Sequence, residues 1–187
     1  GGKRFDRSIK GTDYENLDLL PGDFSYRNFD VNLGGTKSPK DRLRKVLEPF
    51  SDEYDLVFLD CPPNINIVAE NVFAAADEII VPVVPTTLSA RTFDTLLNFL
   101  AKNDYGTNNV LAFYSMVEIR KTLHRTTMER MSREYRGILK SFIPYMSDIE
   151  RMGLSRQPVP AVSPASPAAQ AYRALWNELR ALIFAFG

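Results

Sequence analysis

The stretch Tyr54-Asp-Leu-Val-Phe-Leu-Asp-Cys-Pro-Pro63 predicts a buried strand that ends at a carboxylate. Four consecutive apolar residues precede Asp60, and a double proline ends the stretch. A strand that is apolar on both sides is buried on both faces, which is typical of a parallel sheet covered by helices. A second apolar run, Ile79 to Val84, ends at Pro85 in a similar way. The two runs together predict a parallel sheet.

Segments of helical periodicity alternate with apolar runs on both sides of this stretch. Strands are predicted over residues 17–20, 54–59, 79–84, 110–114 and 138–143. Helices are predicted over residues 38–50, 65–76, 93–100, 121–136 and 168–186. Because strands that alternate with helices form parallel sheets with right-handed crossovers, we predict an α/β fold. It is a doubly wound, mostly parallel sheet with helices on both faces.

Length and composition fit a single domain over residues 1–187. Within it we predict a flexible start at 1–13, a Pro/Ser-rich loop at 155–167 and a C-terminal helix at 168–186. A single cysteine excludes a disulfide framework and favours a reducing compartment. No apolar run approaches the roughly 20 residues of a membrane span, so we expect a cytoplasmic protein and no membrane partner. The net charge is zero, so nucleic acid would be attracted only by a local patch.

Ligands of open parallel sheets bind beyond the carboxyl ends of the strands. Polar or proline-containing segments follow four of the predicted strands, beginning at Asp60, Pro85, Ser115 and Pro144. A carboxylate at the end of a buried strand, such as Asp60, suits a site for Mg²⁺ and a nucleotide. The alternative is that Asp60 only caps the following turn. The double proline would fix the backbone after Asp60 and make a loop able to sense a terminal phosphate.

The stretch 54–63 resembles the Walker B and switch II segment of the ParA family of partition ATPases. The resemblance extends over about residues 9–150. It is carried further by the segments Asn64–Ala76, Asp77–Ser89, Gly11–Tyr26 and Met116–Arg120. In the last of these the family usually has an acid and an arginine two positions apart, as Glu118 and Arg120 are here.

This resemblance implies a role for individual residues. Asp60 would be the catalytic residue that helps hold Mg²⁺ through water. Switch II would comprise Asp60, Cys61, Pro62 and Pro63, and the adenine side of the site Ser115, Met116, Pro144 and Tyr145. The resemblance also implies a homodimer formed around ATP, non-specific DNA binding on the nucleoid, and a ParB-type activator protein that stimulates hydrolysis.

The family's phosphate-binding loop is not found within these 187 residues. Neither a Gly-x-x-x-x-Gly-Lys-Ser/Thr pattern nor the family's Lys-Gly-Gly variant occurs, and Gly34-Gly35-Thr36-Lys37 has the letters in another order. Without that loop no amide cradle and no lysine hold the phosphates. We therefore assign ATP and Mg²⁺ to an intact parent and expect this chain alone neither to bind ATP tightly nor to hydrolyse it. The family's first strand, which neighbours strand 54–59, would be missing as well.

Residues 118–140 carry seven basic and three acidic side chains. A basic helix there could bind phosphate backbones without sequence preference, or it could be an ordinary solvated helix face. The candidates for DNA contact are Arg120, Lys121, Arg125, Arg130 and Arg133. His124 has no cysteine or second histidine near it, so no metal site is predicted there.

Two further functions stay open. One is an amidoligase on the same fold, similar to cobyrinic acid a,c-diamide synthase, which shares the switch segment. Such an enzyme would need a glutamine amidotransferase partner with a catalytic cysteine and histidine, and no histidine lies near Cys61 in sequence. The other is a non-catalytic interaction module. The absent phosphate loop favours the module for this chain, and the motif match favours the ATPase for its parent.

Overall fold

The structure is a computed structural model that describes residues 8–22, 42–61 and 64–184. Its contacts divide the chain into two compact units, residues 1–76 and residues 77–187, where the sequence analysis predicts a single domain. Of the predicted flexible start, residues 1–7 lie outside the described residues.

The first unit contains a short hairpin and two helices. Its elements are β1 (Lys10–Gly11), β2 (Asp18–Leu19), α1 (Arg42–Leu47) with a following 3₁₀ turn (Glu48–Phe50), and α2 (Ile67–Ala75). β1 and β2 pair antiparallel, so Lys10 and Gly11 of the predicted flexible start belong to a ladder. The helix predicted from Ser38 is described only from α1 onward. α2 begins where the side chain of Asn66 accepts hydrogen bonds from the N–H groups of Val68 and Ala69, at 3.1 and 3.0 Å.

Residues 54–60, which the sequence predicts as a buried strand up to Leu59, form no strand in the structure. The segment forms no ladder with any strand that the structure describes. Val57 and Phe58 are 49% and 68% exposed. The prediction of a buried strand is therefore wrong here, because an apolar run becomes a strand only when a neighbouring strand pairs with it.

The second unit is a three-stranded parallel sheet with helices between its strands. Its strands are β3 (Ile79–Val83), β4 (Val110–Val117) and β5 (Ile138–Pro144), in that order across the sheet. Its long helices are α3 (Thr87–Lys102), α4 (Thr122–Glu134) and α8 (Pro167–Ile183). Its short helices are α5 (Ser147–Glu150), α6 (Met152–Ser155) and α7 (Val159–Val162). Both strand pairs are parallel, which confirms the predicted fold class.

Helices cover both faces of this sheet. Neighbouring residues of a strand point to opposite faces. On one face the hydroxyl of Tyr114 donates to the backbone carbonyl of Met128 in α4, at 3.0 Å. On the other face Phe113 packs against a buried cluster that includes Leu175 and Leu179 of α8. The sheet is therefore enclosed, as its apolar strands predict.

The proline-rich segment differs from the extended loop predicted over 155–167. It contains α7, whose Val159 packs against Ala168 and Ala169 of α8. Helical structure is possible here because a proline in the first turn of a helix loses no hydrogen bond. The C-terminal helix begins at Pro167, one residue before the predicted start, and residues 185–187 lie outside the described range. Among the helices that the structure describes, none is long and apolar enough to cross a bilayer.

Candidate functional site

The four residues predicted on the adenine side lie together in the second unit. Val117, next to Met116, is the ladder partner of Pro144. The N–H of Tyr145 donates to the carbonyl of Val117 at 3.0 Å. Ser115 and Met116 therefore stand beside Pro144 and Tyr145 at the carboxyl ends of neighbouring parallel strands, where open α/β sheets bind ligands.

Met116 has a left-handed backbone conformation, with φ of 54°. The register of β4 against β5 shifts between Tyr114 and Val117, so Met116 lies in an irregularity of the ladder. A positive φ is uncommon for a residue with a bulky side chain. The side chain of Met116 is 49% exposed at the sheet edge. Such conformations concentrate at ligand sites, and this one turns an apolar side chain outward at the predicted site.

Tyr145 is held by a carboxylate. Its hydroxyl donates to Oε1 of Glu150 at 2.9 Å, while the ring stays 47% exposed. The hydrogen bond to Glu150, followed by the negative charge of the same group, raises the pKa of Tyr145. The bond to Glu150 thus favours the neutral hydroxyl and holds the partly exposed ring at the end of β5.

The turn between β4 and α4 is fixed by several hydrogen bonds. The backbone N–H of Lys121 donates to the carbonyl of Glu118 at 2.9 Å, and the two side chains form an ion pair. Nη1 of Arg125 lies 3.5 Å from the carbonyl oxygen of Ile119. The N–H of Glu118 donates to Nδ1 of His124 at 3.1 Å. The sequence predicts no role for His124, because a contact between residues six apart leaves no periodic signal.

The predicted DNA contacts differ in how far their charges are already engaged. Lys121 pairs with Glu118, and Nη1 of Arg130 lies 2.8 Å from Oε2 of Glu134. Arg125 and Arg130 are also about 140° apart around the helix, since each residue turns it by about 100°. Arg120 and Arg133 have no ion pair within the part of the chain that the structure describes. The five candidates therefore do not form one cationic face. Arg120 and Arg133 are the two most available for contact with DNA.

Asp60 and Cys61 belong to the first unit. Asp60 is exposed and follows the segment that lacks a ladder. The thiol of Cys61 donates to the carbonyl of Leu59 at 3.3 Å. Partial burial, and to a lesser degree the charge of Asp60, raises the pKa of this thiol, so it is not an activated nucleophile. Pro62 and Pro63, the rest of predicted switch II, lie outside the described residues.

Within the described ranges no three acidic, histidine or cysteine side chains come together as a metal site. Proteins usually hold Mg²⁺ with one or two carboxylates, the other ligands being water and the phosphates of the substrate. One exposed carboxylate on a loop, such as Asp60, fits that pattern and needs no further protein ligand. The residues present are thus compatible with a water-mediated Mg²⁺ site.

A separate groove of about 490 Å³ runs between α3 and α4. It is lined by Thr87, Arg91, Asp94, Leu123, Thr126, Thr127 and Arg130. The hydroxyl of Tyr135 donates to Asp94, and Glu134 pairs with Arg130. Asp94 and Arg130 of this groove are therefore already engaged by neighbouring side chains.

Comparison with known proteins identifies the family. Residues 2–113 match the family model AAA_31, an AAA domain. The chain is similar to the sporulation initiation inhibitor protein Soj of Bacillus subtilis, with 26% identity over 178 residues that cover 92% of this chain and 70% of Soj.

Solved structures of two proteins share the fold. A putative plasmid partition protein of Borrelia burgdorferi bound to AMPPNP has a TM-score of 0.80 at 18% identity, covering 93% of this chain and 68% of that one. Cobyrinic acid a,c-diamide synthase of Mycobacterium smegmatis has a TM-score of 0.75 at 22% identity, covering 95% and 68%. The synthase has also been solved with an ATP analog and magnesium.

The three-stranded parallel sheet and its likeness to these structures define the class as an α/β fold with helices on both faces of the sheet. Within that class the chain belongs to the ParA/Soj family of partition ATPases, because the AAA_31 model matches more than half of its length.

Proposed function

We propose that this chain carries the switch and adenine-side parts of a ParA-type partition ATPase. Its intact parent dimerises around ATP and binds DNA without sequence preference. A ParB-type activator protein stimulates its ATP hydrolysis. The observation that carries the proposal is the pairing of the β4 and β5 ends, which brings Met116 and Tyr145 together at the ligand edge in a member of this family.

Asp60 holds Mg²⁺ through water in this proposal, and residues 60–63 form the switch that responds to the third phosphate. Mg²⁺ would neutralise charge on the phosphates and orient them. The chain's own part is to present one carboxylate on a loop. The exposure of Asp60 supports this role, because a carboxylate committed to a buried structural partner could not move with a nucleotide.

Ser115, Met116, Pro144 and Tyr145 form the adenine side. The half-exposed side chains of Met116 and Tyr145 offer a thioether and a ring to the flat base. The neutral state of Tyr145, favoured by its bond to Glu150, keeps a charge away from that surface. This arrangement supports binding of a planar heterocycle.

Binding to DNA is assigned first to Arg120 and Arg133. Lys121, Arg125 and Arg130 contribute less, because their side chains already bond to Glu118, to the turn and to Glu134. A dimer doubles the number of cations facing one duplex. Its affinity for DNA therefore exceeds that of a monomer and falls as the salt concentration rises.

Substitution of Asp60 tests the metal role directly. The experiment uses a version of the chain extended upstream of residue 1, to include the phosphate-binding loop. Asp60→Asn should leave the protein folded, lower the ATP hydrolysis rate at least tenfold and weaken the dependence of nucleotide affinity on Mg²⁺. Asp55→Asn, five residues earlier and also exposed, is the matched control. Equal rates for the two variants would contradict the assignment.

A second candidate is an amidoligase, favoured by the likeness in fold to cobyrinic acid a,c-diamide synthase. In that case the upstream-extended protein would hydrolyse ATP only with a carboxylic acid substrate and a source of ammonia. A hydrolysis rate that rises with DNA and a ParB-type protein, and is unaffected by ammonia, would exclude it.

A further inference from the structure

We propose that His124 is a positioning residue of the adenine side: its ring fixes the peptide group between Val117 and Glu118, at the end of β4. This inference rests on the proposed function of the β4–β5 edge. His124 does not contact the nucleotide in this proposal, and its effect is transmitted through one backbone hydrogen bond.

The peptide group between Val117 and Glu118 is held at both ends. Its carbonyl accepts the N–H of Tyr145, from the end of β5, at 3.0 Å. Its N–H donates to Nδ1 of His124, from α4, at 3.1 Å. Because both polar atoms of this peptide are occupied, its orientation is fixed relative to β5 and to α4.

This fixed peptide lies one residue beyond Met116, whose backbone is strained. Met116 has φ of 54°, a conformation that persists only where the surroundings determine it. If the Val117–Glu118 peptide were free to rotate, the neighbouring backbone could relax and Met116 could leave the ligand edge. The bond from Glu118 to His124 therefore helps to keep Met116 beside Tyr145.

The burial of His124 makes the bond specific. The side chain is 5% exposed, so a solvent molecule cannot readily replace its ring. Nδ1 accepts a hydrogen bond, so the proton of the neutral ring is on Nε2. α4 lacks a side-chain cap at Lys121, and His124, the third residue of the helix, reaches back to the preceding turn instead. This resembles the capping box, in which the third helical residue accepts a backbone N–H before the helix.

Three substitutions separate this role from simple packing. His124→Asn puts an amide oxygen near the position of Nδ1, and His124→Gln puts it one carbon further from the backbone. We expect Asn to retain the bond to the Glu118 N–H, and Gln and His124→Ala to lose it. Amide hydrogen exchange of Glu118, measured by NMR on the 187-residue chain, reports the bond itself.

The functional readout is the ratio of affinities for fluorescent ATP and GTP analogues, measured on the upstream-extended version with Mg²⁺. Loss of one hydrogen bond should lower the preference for ATP about 3–10-fold in the Gln and Ala variants, while Asn stays within twofold of wild type. An unchanged ratio in the Gln and Ala variants, with wild-type binding intact, overturns this inference alone. Absence of nucleotide binding by the wild-type protein overturns the proposed function and this inference with it.

Discussion

The carboxylate of Glu178 in α8 accepts a hydrogen bond of 2.8 Å from the backbone N–H of Ser141 in β5. Its other oxygen accepts one of equal length from the N–H of Lys140. The register of β4 against β5 shifts just here, between the partners Ile138 and Phe142 of β5. A bulge leaves N–H groups out of the ladder, and Glu178 satisfies two of them. One side chain thus joins the C-terminal helix to the edge of the described sheet.

Replacing Glu178 by alanine should lower the free energy of unfolding by about 1–2 kcal/mol, since it removes two hydrogen bonds to a charged, partly exposed group. Glu178→Gln keeps one acceptor oxygen and should lose about half as much. Urea denaturation followed by circular dichroism measures the difference. The control is Glu129→Ala on the exposed side of α4, which should change stability by less than about 0.5 kcal/mol. Equal urea midpoints for Glu129→Ala and Glu178→Ala would show that the hydrogen bonds of Glu178 do not stabilise the fold.

The contribution of Glu178 should depend on pH. Desolvation raises its pKa, but hydrogen bonds from Ser141 and Lys140 and the charge of Lys140 outweigh this and bring the pKa below its ordinary value of 4.5. Because the pKa of Glu178 is lowered in the folded state, its contribution to stability is complete at pH values above the pKa of the unfolded state. The contribution is lost as the pH falls through the pKa of the folded state. The stability difference between wild type and Glu178→Gln should therefore be constant near neutral pH and shrink in acid. Urea titrations at several pH values test this. A stability difference between the two proteins that grows in acid would contradict the prediction.

Met116 should tolerate glycine better than a β-branched residue. Glycine adopts a positive φ without strain, so Met116→Gly should be neutral or stabilise the fold by up to about 1 kcal/mol. Met116→Val should destabilise it by at least about 1 kcal/mol, because valine is strongly disfavoured there. Thermal unfolding ranks the two variants. If Met116 contacts the base, both should also weaken ATP binding, so the stable glycine variant separates affinity from folding.

Arg133 and Arg130 should differ in their effect on DNA. Arg133→Ala should weaken binding of a duplex of any sequence and lower the salt slope by about 1, as expected for one lost phosphate contact. Arg130→Ala should have a smaller effect, because Glu134 already pairs with Arg130. Fluorescence anisotropy of the ATP-bound parent at several salt concentrations gives both slopes. A larger loss in the Arg130 variant would reverse the assignment.

Much of the second unit follows from local sequence pattern. The apolar runs at 79–84, 110–114 and 138–143 and the periodicity between them predict β3, β4, β5 and the helices that cover them. The same reasoning predicts that the ends of β4 and β5 lie together. Such features depend on burial and alternation, which neighbouring residues encode.

The rest depends on contacts between distant residues. The left-handed Met116, the bulge held by Glu178 and the bond from Glu118 to His124 arise when elements pack, so no local periodicity predicts them. The run around Phe58 shows the reverse: strong strand propensity without a described partner yields an exposed segment. Pairing, more than propensity, decides whether a strand forms.

Nucleotide binding by two forms of the protein tests whether the chain is part of a ParA-type ATPase. A fluorescent ATP analogue with Mg²⁺ is titrated onto the 187-residue chain and onto the version extended upstream of residue 1. We predict saturable, Mg²⁺-dependent binding by the extended version and no tight binding by the 187-residue chain, whose sequence holds no phosphate-loop pattern. Tight, Mg²⁺-dependent binding of the analogue by the 187-residue chain would contradict the proposed function. Absence of binding by the extended version would contradict it as well.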